Sequence, residues 1–340
     1  MRPVPRAPAC TKGLRDTFGS LQSQPPVVQR AAGCARPGEM RVKAFWLHST
    51  GAALAVIAAI AIAQQDFSNV EIKAEKLSAT TYMLTGAGGN IGVSVGEDSA
   101  FIVDDQFAPL TPRIQAAVAK LSPHPIRFVV NTHWHFDHTG GNENFGKAGA
   151  VIVAHENVRK RMSTDQFIEF LDMKTKREPR VALPALTFTR DLTFHQNGED
   201  IGIFHVANAH TDGDAIVHFR TSDVVHMGDT FFNNLYPFID TSSGGTIDGV
   251  VAAADRVLGI VGEATRIIPG HGPVASKADL RAYREMVATV GTRVREAVNA
   301  GRTLDEVIAS RPTAEFDERF GKGFLPANRF VEMVYRNVKR

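Results

Sequence analysis

The chemistry of this chain gathers in one stretch, Asn131-Thr132-His133-Trp134-His135-Phe136-Asp137-His138-Thr139-Gly140-Gly141. Four metal-type side chains, His133, His135, Asp137 and His138, fall within six residues. Imidazole nitrogen combined with carboxylate oxygen is a donor set that suits zinc. The preceding run, Ile126-Arg127-Phe128-Val129-Val130, has the β-branched and aromatic content of a buried strand. Side chains alternate faces along a strand. Extended chain beyond Val130 would point His133, His135 and Asp137 one way and leave His138 at the bend. Trp134 and Phe136 would face the core.

The pattern His133-x-His135-x-Asp137-His138 resembles the signature of the metallo-β-lactamase superfamily. The resemblance continues through His210 in Ala209-His210-Thr211-Asp212-Gly213-Asp214, Asp229 in Met227-Gly228-Asp229-Thr230 and His271 in Pro269-Gly270-His271-Gly272. It implies an αββα sandwich and two zinc ions per chain. His133, His135 and His210 would hold one ion; Asp137, His138 and His271 would hold the other. Asp229 would bridge them. The resemblance further implies a hydroxide between the ions that attacks a carbonyl or phosphoryl centre, oriented by Asp137, which also shuttles its proton. Asp104 follows the apolar run Ala100-Phe101-Ile102-Val103 and resembles the family's aspartate that orients the ligands. A turn aspartate at a strand end is the other reading of that residue.

Four residues narrow the comparison. Asp229 stands where zinc β-lactamases of this superfamily carry cysteine. Phe232 stands where many of them have a lysine for the antibiotic's carboxylate. His138 is a ligand type shared with glyoxalase II and lactonases. His135 differs from the glutamate of the flavodiiron oxidoreductases. These features imply a hydrolase of a small-molecule ester, lactone, thioester or cyclic amide, with β-lactam hydrolysis as a main or side activity. A mononuclear iron dioxygenase of the persulfide dioxygenase type and a non-catalytic binding protein on the same fold are the alternatives.

The other histidines, His124, His155, His195, His205, His218 and His226, lack partners at ligand spacing and read as structural. Phe107, Phe231, Phe232, Tyr236 and Phe238 fall in loops near the candidate ligands, where they either line an apolar pocket or pack those loops.

Short strands are expected from Val70 to Val103, interrupted by Gly86-Ala87-Gly88-Gly89-Asn90. No helix start or Lys-Ser/Thr follows this turn, so it is not a phosphate loop; it reads as a mobile hairpin tip. Thr111-Pro112 opens a helix running to about Leu121. A charged surface excursion covers 163–180. Helices are expected over 248–262, 276–300, 303–311 and 326–338. The catalytic domain then spans 64–300, and 301–340 forms a helical extension.

The chain has 340 residues, 44% of them apolar, which allows a sizeable core. Its net charge of +2 is uneven. Six basic and two acidic residues give 1–39 a charge of +4, and Arg41 and Lys43 add +2, so the rest carries −4. That balance argues against a nucleic-acid surface. Cys10 and Cys34 both precede Met40, so the body has no thiolate ligand or nucleophile. Residues 1–39 hold six of the 17 prolines and read as disordered, or as preceding the true start. From Met40, a basic segment, an apolar run from Gly51 to Ala63 and the closing Ala61-Ile62-Ala63 form an export signal cleaved near Ala63. The mature chain would be periplasmic or secreted, meeting a membrane only during export.

Overall fold

The computed structural model of the protein describes residues 66–339. The readings for 1–39 and for the export signal at 40–63 lie outside these residues. Among the described residues, no helix is long and apolar enough to cross a membrane.

Two sheets carry the fold. In the first, β1 (Lys73–Lys76), β2 (Thr81–Thr85), β3 (Ile91–Val95) and β4 (Ala100–Val103) form an antiparallel meander. After helix α1 (Thr111–Ala119), β5 (Ile126–Val130) joins parallel to β4. Two short helices, α2 (Phe136–Thr139) and α3 (Asn142–Lys147), lead to β6 (Val151–His155), parallel to β5. Helix α4 (Glu156–Met162) and a small ribbon, β7 (Gln166–Ile168) with β8 (Met173–Thr175), precede β9 (Leu186–Phe188), which completes this sheet. The ribbon occupies the segment expected to be a surface excursion.

The second sheet contains β10 (Asp191–Gln196), β11 (Glu199–His205), β12 (Ala215–Phe219), β13 (Val224–His226) and β14 (Arg266–Ile268), antiparallel except for the β13–β14 pair. Asn197 and Gly198 turn β10 into β11 with positive φ at both positions, as this two-residue hairpin requires.

Alternation along the strands builds the layers. Phe101, Val103, Val130 and Val153 meet Ile201, Val217, Phe219, Val224 and Ile268 between the sheets. Their neighbours Ala100, Ile102, Val129 and Ile152 face outward onto Ile114 and Val118 of α1. On the other flank, Ile216, Val225 and Ile267 pack under α5 (Ile247–Leu258) and α6 (Lys277–Asn299). The result is an αββα sandwich.

The C-terminal helices α7 (Leu304–Ala309), α8 (Asp317–Phe320) and α9 (Ala327–Lys339) share that second outer core through Val307, Phe320, Phe330 and Val334. Helix α5 begins one residue before the expected 248 and is capped by Thr246, whose side chain accepts from Gly249 N. Ser276 caps α6 and Thr303 caps α7, each in a reciprocal capping box.

Two expectations are corrected. The extended chain of β5 stops at Val130, because the carboxylate of Asp104 captures Thr132 N at 2.7 Å and draws the backbone away from the sheet. Asp137 and His138 therefore lie on the helical turn α2, not on a continuing strand. The glycine-rich hairpin tip is also not free. Gly89 N donates to Asp137 O at 3.1 Å, and Asn90 N donates to Gly270 O at 2.7 Å.

Candidate metal centre

All seven candidate side chains arrive on connections at one edge of the sandwich. His133, His135, Asp137 and His138 follow β5, His210 lies between β11 and β12, Asp229 follows β13, and His271 follows β14. Their donor atoms form two groups: His133, His135, His210 and Asp229 in one, and Asp137, His138 and His271 in the other. Within each group the donor atoms lie within 4.8 Å of one another.

Asp229 stands between the groups. Its Oδ1 is 3.0 Å from His138 Nε2 and 3.5 Å from His271 Nε2. Its Oδ2 is 3.6 Å from His210 Nε2 and 3.8 Å from His133 Nε2.

The partners behind each ring decide which nitrogen faces inward. His210 Nδ1 donates to Phe238 O at 2.8 Å, because a carbonyl can only accept. His135 Nε2 faces Asp240 Oδ2 at 3.1 Å, and His138 Nδ1 faces Asp104 Oδ2 at 2.7 Å. Thr132 Oγ1 donates to Asp104 Oδ2 at 2.7 Å, so it accepts from His133 Nδ1 at 3.0 Å. In the neutral rings, each inward nitrogen then carries a lone pair. His135 Nδ1 and His210 Nε2 face each other at 2.9 Å. Two lone pairs at that separation repel unless a cation or proton lies between them. His133 Nε2 is buried with no hydrogen-bond partner. This donor set fits metal cations.

The charge pattern agrees. Burial holds His133 well below the ordinary imidazole range and pushes His210 down to about 4, so both are neutral donors. At His138 and His271 burial works the same way, but the carboxylates of Asp229 and Asp137 outweigh it. His138 is raised well above its usual range and His271 to about 9. Asp137 is lowered to about 2, its burial outweighed by His138 and His271. The carboxylates of Asp229 and Asp137 thus favour positive charge within the second group.

Asp104 sits where the resemblance places an orienting carboxylate, and its φ of 64° puts it in the left-handed region. The sequence gives no signal for two other anchors. Asp240 backs His135, and Asp214 Oδ2 accepts from His210 N at 2.6 Å and Thr211 N at 2.8 Å, holding that turn. Trp134 is buried and donates to Ser243 Oγ at 3.2 Å, whereas Phe136 is half-buried against Phe107. Phe231, Phe232, Tyr236 and Phe238 are buried and pack the loops. Phe232 stacks on His271 with ring centres 5.1 Å apart. Among the remaining histidines, His155 and His205 stack on each other at 3.8 Å, His195 pairs with Asp200 on the surface, and His226 is buried against Asn90 O.

Five of the seven side chains are at most 5% exposed, whereas Asp137 and His271 retain 19% and 22%. Solvent therefore reaches the centre over these two residues. Phe324, 61% exposed on the loop before α9, packs beside Phe232 at 6.4 Å.

The chain is similar to several known proteins. The chain is 24% identical over 257 residues to the 2,4-dinitroanisole O-demethylase subunit alpha of Nocardioides sp. (strain JS1661), covering 72% of this chain and 70% of that protein. It is 27% identical over 109 residues to the hydroxyacylglutathione hydrolase of Pelagibacter ubique (strain HTCC1062), 32% of this chain and only 37% of that enzyme. Among solved structures, the DIM-1 metallo-β-lactamase superposes with a TM-score of 0.54 at 21% identity, over 65% of this chain and 99% of that one. The sec-alkylsulfatase Pisa1 of a Pseudomonas species superposes at 0.58 and 18% identity, over 78% of this chain and 50% of that one. These two structures are alike in fold. The model of the metallo-β-lactamase superfamily matches residues 84–280, more than half of the chain. On that match, joined to the sandwich and its edge of histidines and aspartates, this chain belongs to the metallo-β-lactamase superfamily.

Proposed function

We propose that this protein is a two-zinc hydrolase of a small-molecule ester, lactone, thioester or cyclic amide. The observation that carries the reading is the position of Asp229, with one carboxylate oxygen turned to each group of histidines. His133, His135 and His210 would hold one ion and Asp137, His138 and His271 the other, with Asp229 available to both. Bound there, divalent ions would supply Lewis-acid polarisation and acidify a water towards neutral pH.

The chain's own residues do the rest. Asp104 and Asp240 fix ring orientation, which preserves the inward lone pairs. Asp137 Oδ2, 3.3 Å from His271 Nε2, lies at the open side. It accepts a hydrogen bond from the attacking water, orients it, and carries its proton to the leaving group. Substrate enters over Asp137 and His271, with Phe324 beside it.

Phe232 is buried and uncharged, so it offers no counter-ion to an anionic antibiotic. This favours a neutral ester or thioester, with β-lactams as a side activity. The relative named as a hydroxyacylglutathione hydrolase supports hydrolysis over the stretch it shares. Export through 40–63 belongs to the same proposal; N-terminal sequencing of the native protein should give a start near Gln64. The functional test is a panel of phenyl, thiophenyl, lactone and β-lactam substrates on zinc-loaded protein. Turnover of esters or thioesters supports the reading, and inertness to the whole panel contradicts it.

A further inference from the structure

The hairpin tip between β2 and β3 meets every member of the second group. Gly89 N donates to Asp137 O at 3.1 Å. Gly89 also lies against the His138 ring so closely that a Cβ there would come within 2.1 Å of Cε1. Asn90 holds the His271 loop through three carbonyls. Its backbone N donates to Gly270 O at 2.7 Å, and its side-chain Nδ2 donates to Pro269 O at 2.9 Å and Gly272 O at 2.8 Å. Among the described residues, no hydrogen bond joins this tip to His133, His135 or His210, whose rings are anchored by Thr132, Asp240 and Phe238.

The tip is itself held from behind. Gln106 Nε2 donates to Gly89 O at 2.7 Å. His226 Nε2 donates to Asn90 O at 3.1 Å, while its Nδ1 accepts from Gly228 N at 3.1 Å. Asn90 is 5% exposed and His226 is fully buried, so water does not replace these bonds.

We propose that Asn90 is a positioning residue for the second ion alone: through the tip it holds Asp137, His138 and His271 in register, and loosening it turns a two-metal centre into a one-metal centre. The inference rests on the two-zinc reading above. Its physical basis is the asymmetry of support. The three carbonyls flanking His271 accept from one residue of a distant part of the chain, and the same tip touches Asp137 and His138, whereas among the described residues it makes no hydrogen bond to the first group, whose rings rest on Thr132, Asp240 and Phe238. Without the Asn90 amide, Pro269 O and Gly272 O lose their donor, and the His271 loop is left to its backbone bonds with Asn90, Gly228, Phe231 and Asn233. Loss of a partner behind a metal ligand typically weakens the ion by roughly 10–100-fold.

The test is zinc titration of the chelator-stripped full chain, with cobalt absorption as a second readout. The unaltered chain should bind two ions. Asn90→Ala should bind the first with affinity changed by less than about threefold and the second at least tenfold more weakly, with its circular dichroism preserved. Gln106→Met, which leaves Asn90 in place but removes the donor to Gly89 O, should weaken the second ion by a smaller factor. It decides the matter if Asn90→Ala does not fold. Equal weakening of both ions, or no change in either, overturns the proposal. Binding of only one ion by the unaltered chain overturns the two-zinc reading itself.

Discussion

Asp240 Oδ2 lies 3.1 Å from His135 Nε2, and this contact decides that His135 presents Nδ1 to the metal centre. The carboxylate is fixed by Ser242 and Ser243 and held below the usual aspartate range, its burial outweighed by the hydrogen bond and charge of His135. Asp240→Ala should weaken the first ion by roughly 10–100-fold. Competition with a chromophoric chelator measures this. An affinity within twofold of the unaltered chain would show that His135 keeps its orientation without Asp240.

Asp229 serves both groups, so its loss should reach both. Asp229→Ala should bind fewer than two ions and lose at least about a hundredfold in turnover, in line with removing a group that positions reacting atoms. The fold should persist, because the inter-sheet core does not include this side chain. Circular dichroism and metal analysis on the same sample check both statements. Full ion content with full turnover would remove Asp229 from the centre.

Phe324 stands one ring away from Phe232, which stacks on His271. Phe324→Ala should raise KM for esters with an aromatic acyl group by up to roughly tenfold, within the range of an apolar contact. Acetyl esters and ion content should be unaffected. An identical effect on aromatic and acetyl esters would place Phe324 outside the path of the substrate.

Stability should fall on the acid side. Burial holds His155 and His218 below the ordinary imidazole range. The unfolded chain therefore takes up protons first as pH drops through about 6.5, and folding loses stability below that value. His155→Asn keeps a short acceptor for Asn157 N at the start of α4 but cannot titrate. Its Tm should drop less between pH 8 and 5.5 than that of the unaltered, zinc-loaded protein. An equal drop would exclude His155 as a contributor.

The seven side chains that meet at the edge are legible in the sequence because four of them are neighbours in one motif and the others sit in short Gly- and Asp-rich turns. Strand alternation marks the sandwich in the same direct way: Val224 and Val225, or Ile267 and Ile268, split between two cores. Alternation misleads beyond Val130, where a hydrogen bond from 28 residues away ends the extended chain. Asp240 and Asn90 leave no local mark, since each works through a partner 105 or 179 positions distant. The hairpin tip reads as mobile from its glycines, yet those glycines allow close approach to His138 and Asp137.

Elemental analysis of protein purified without chelator tests most directly whether seven side chains hold two zinc ions. Two zinc ions per chain are expected, falling below two in Asp229→Ala. One iron per chain with negligible zinc would contradict this and return the site to mononuclear oxygenase chemistry.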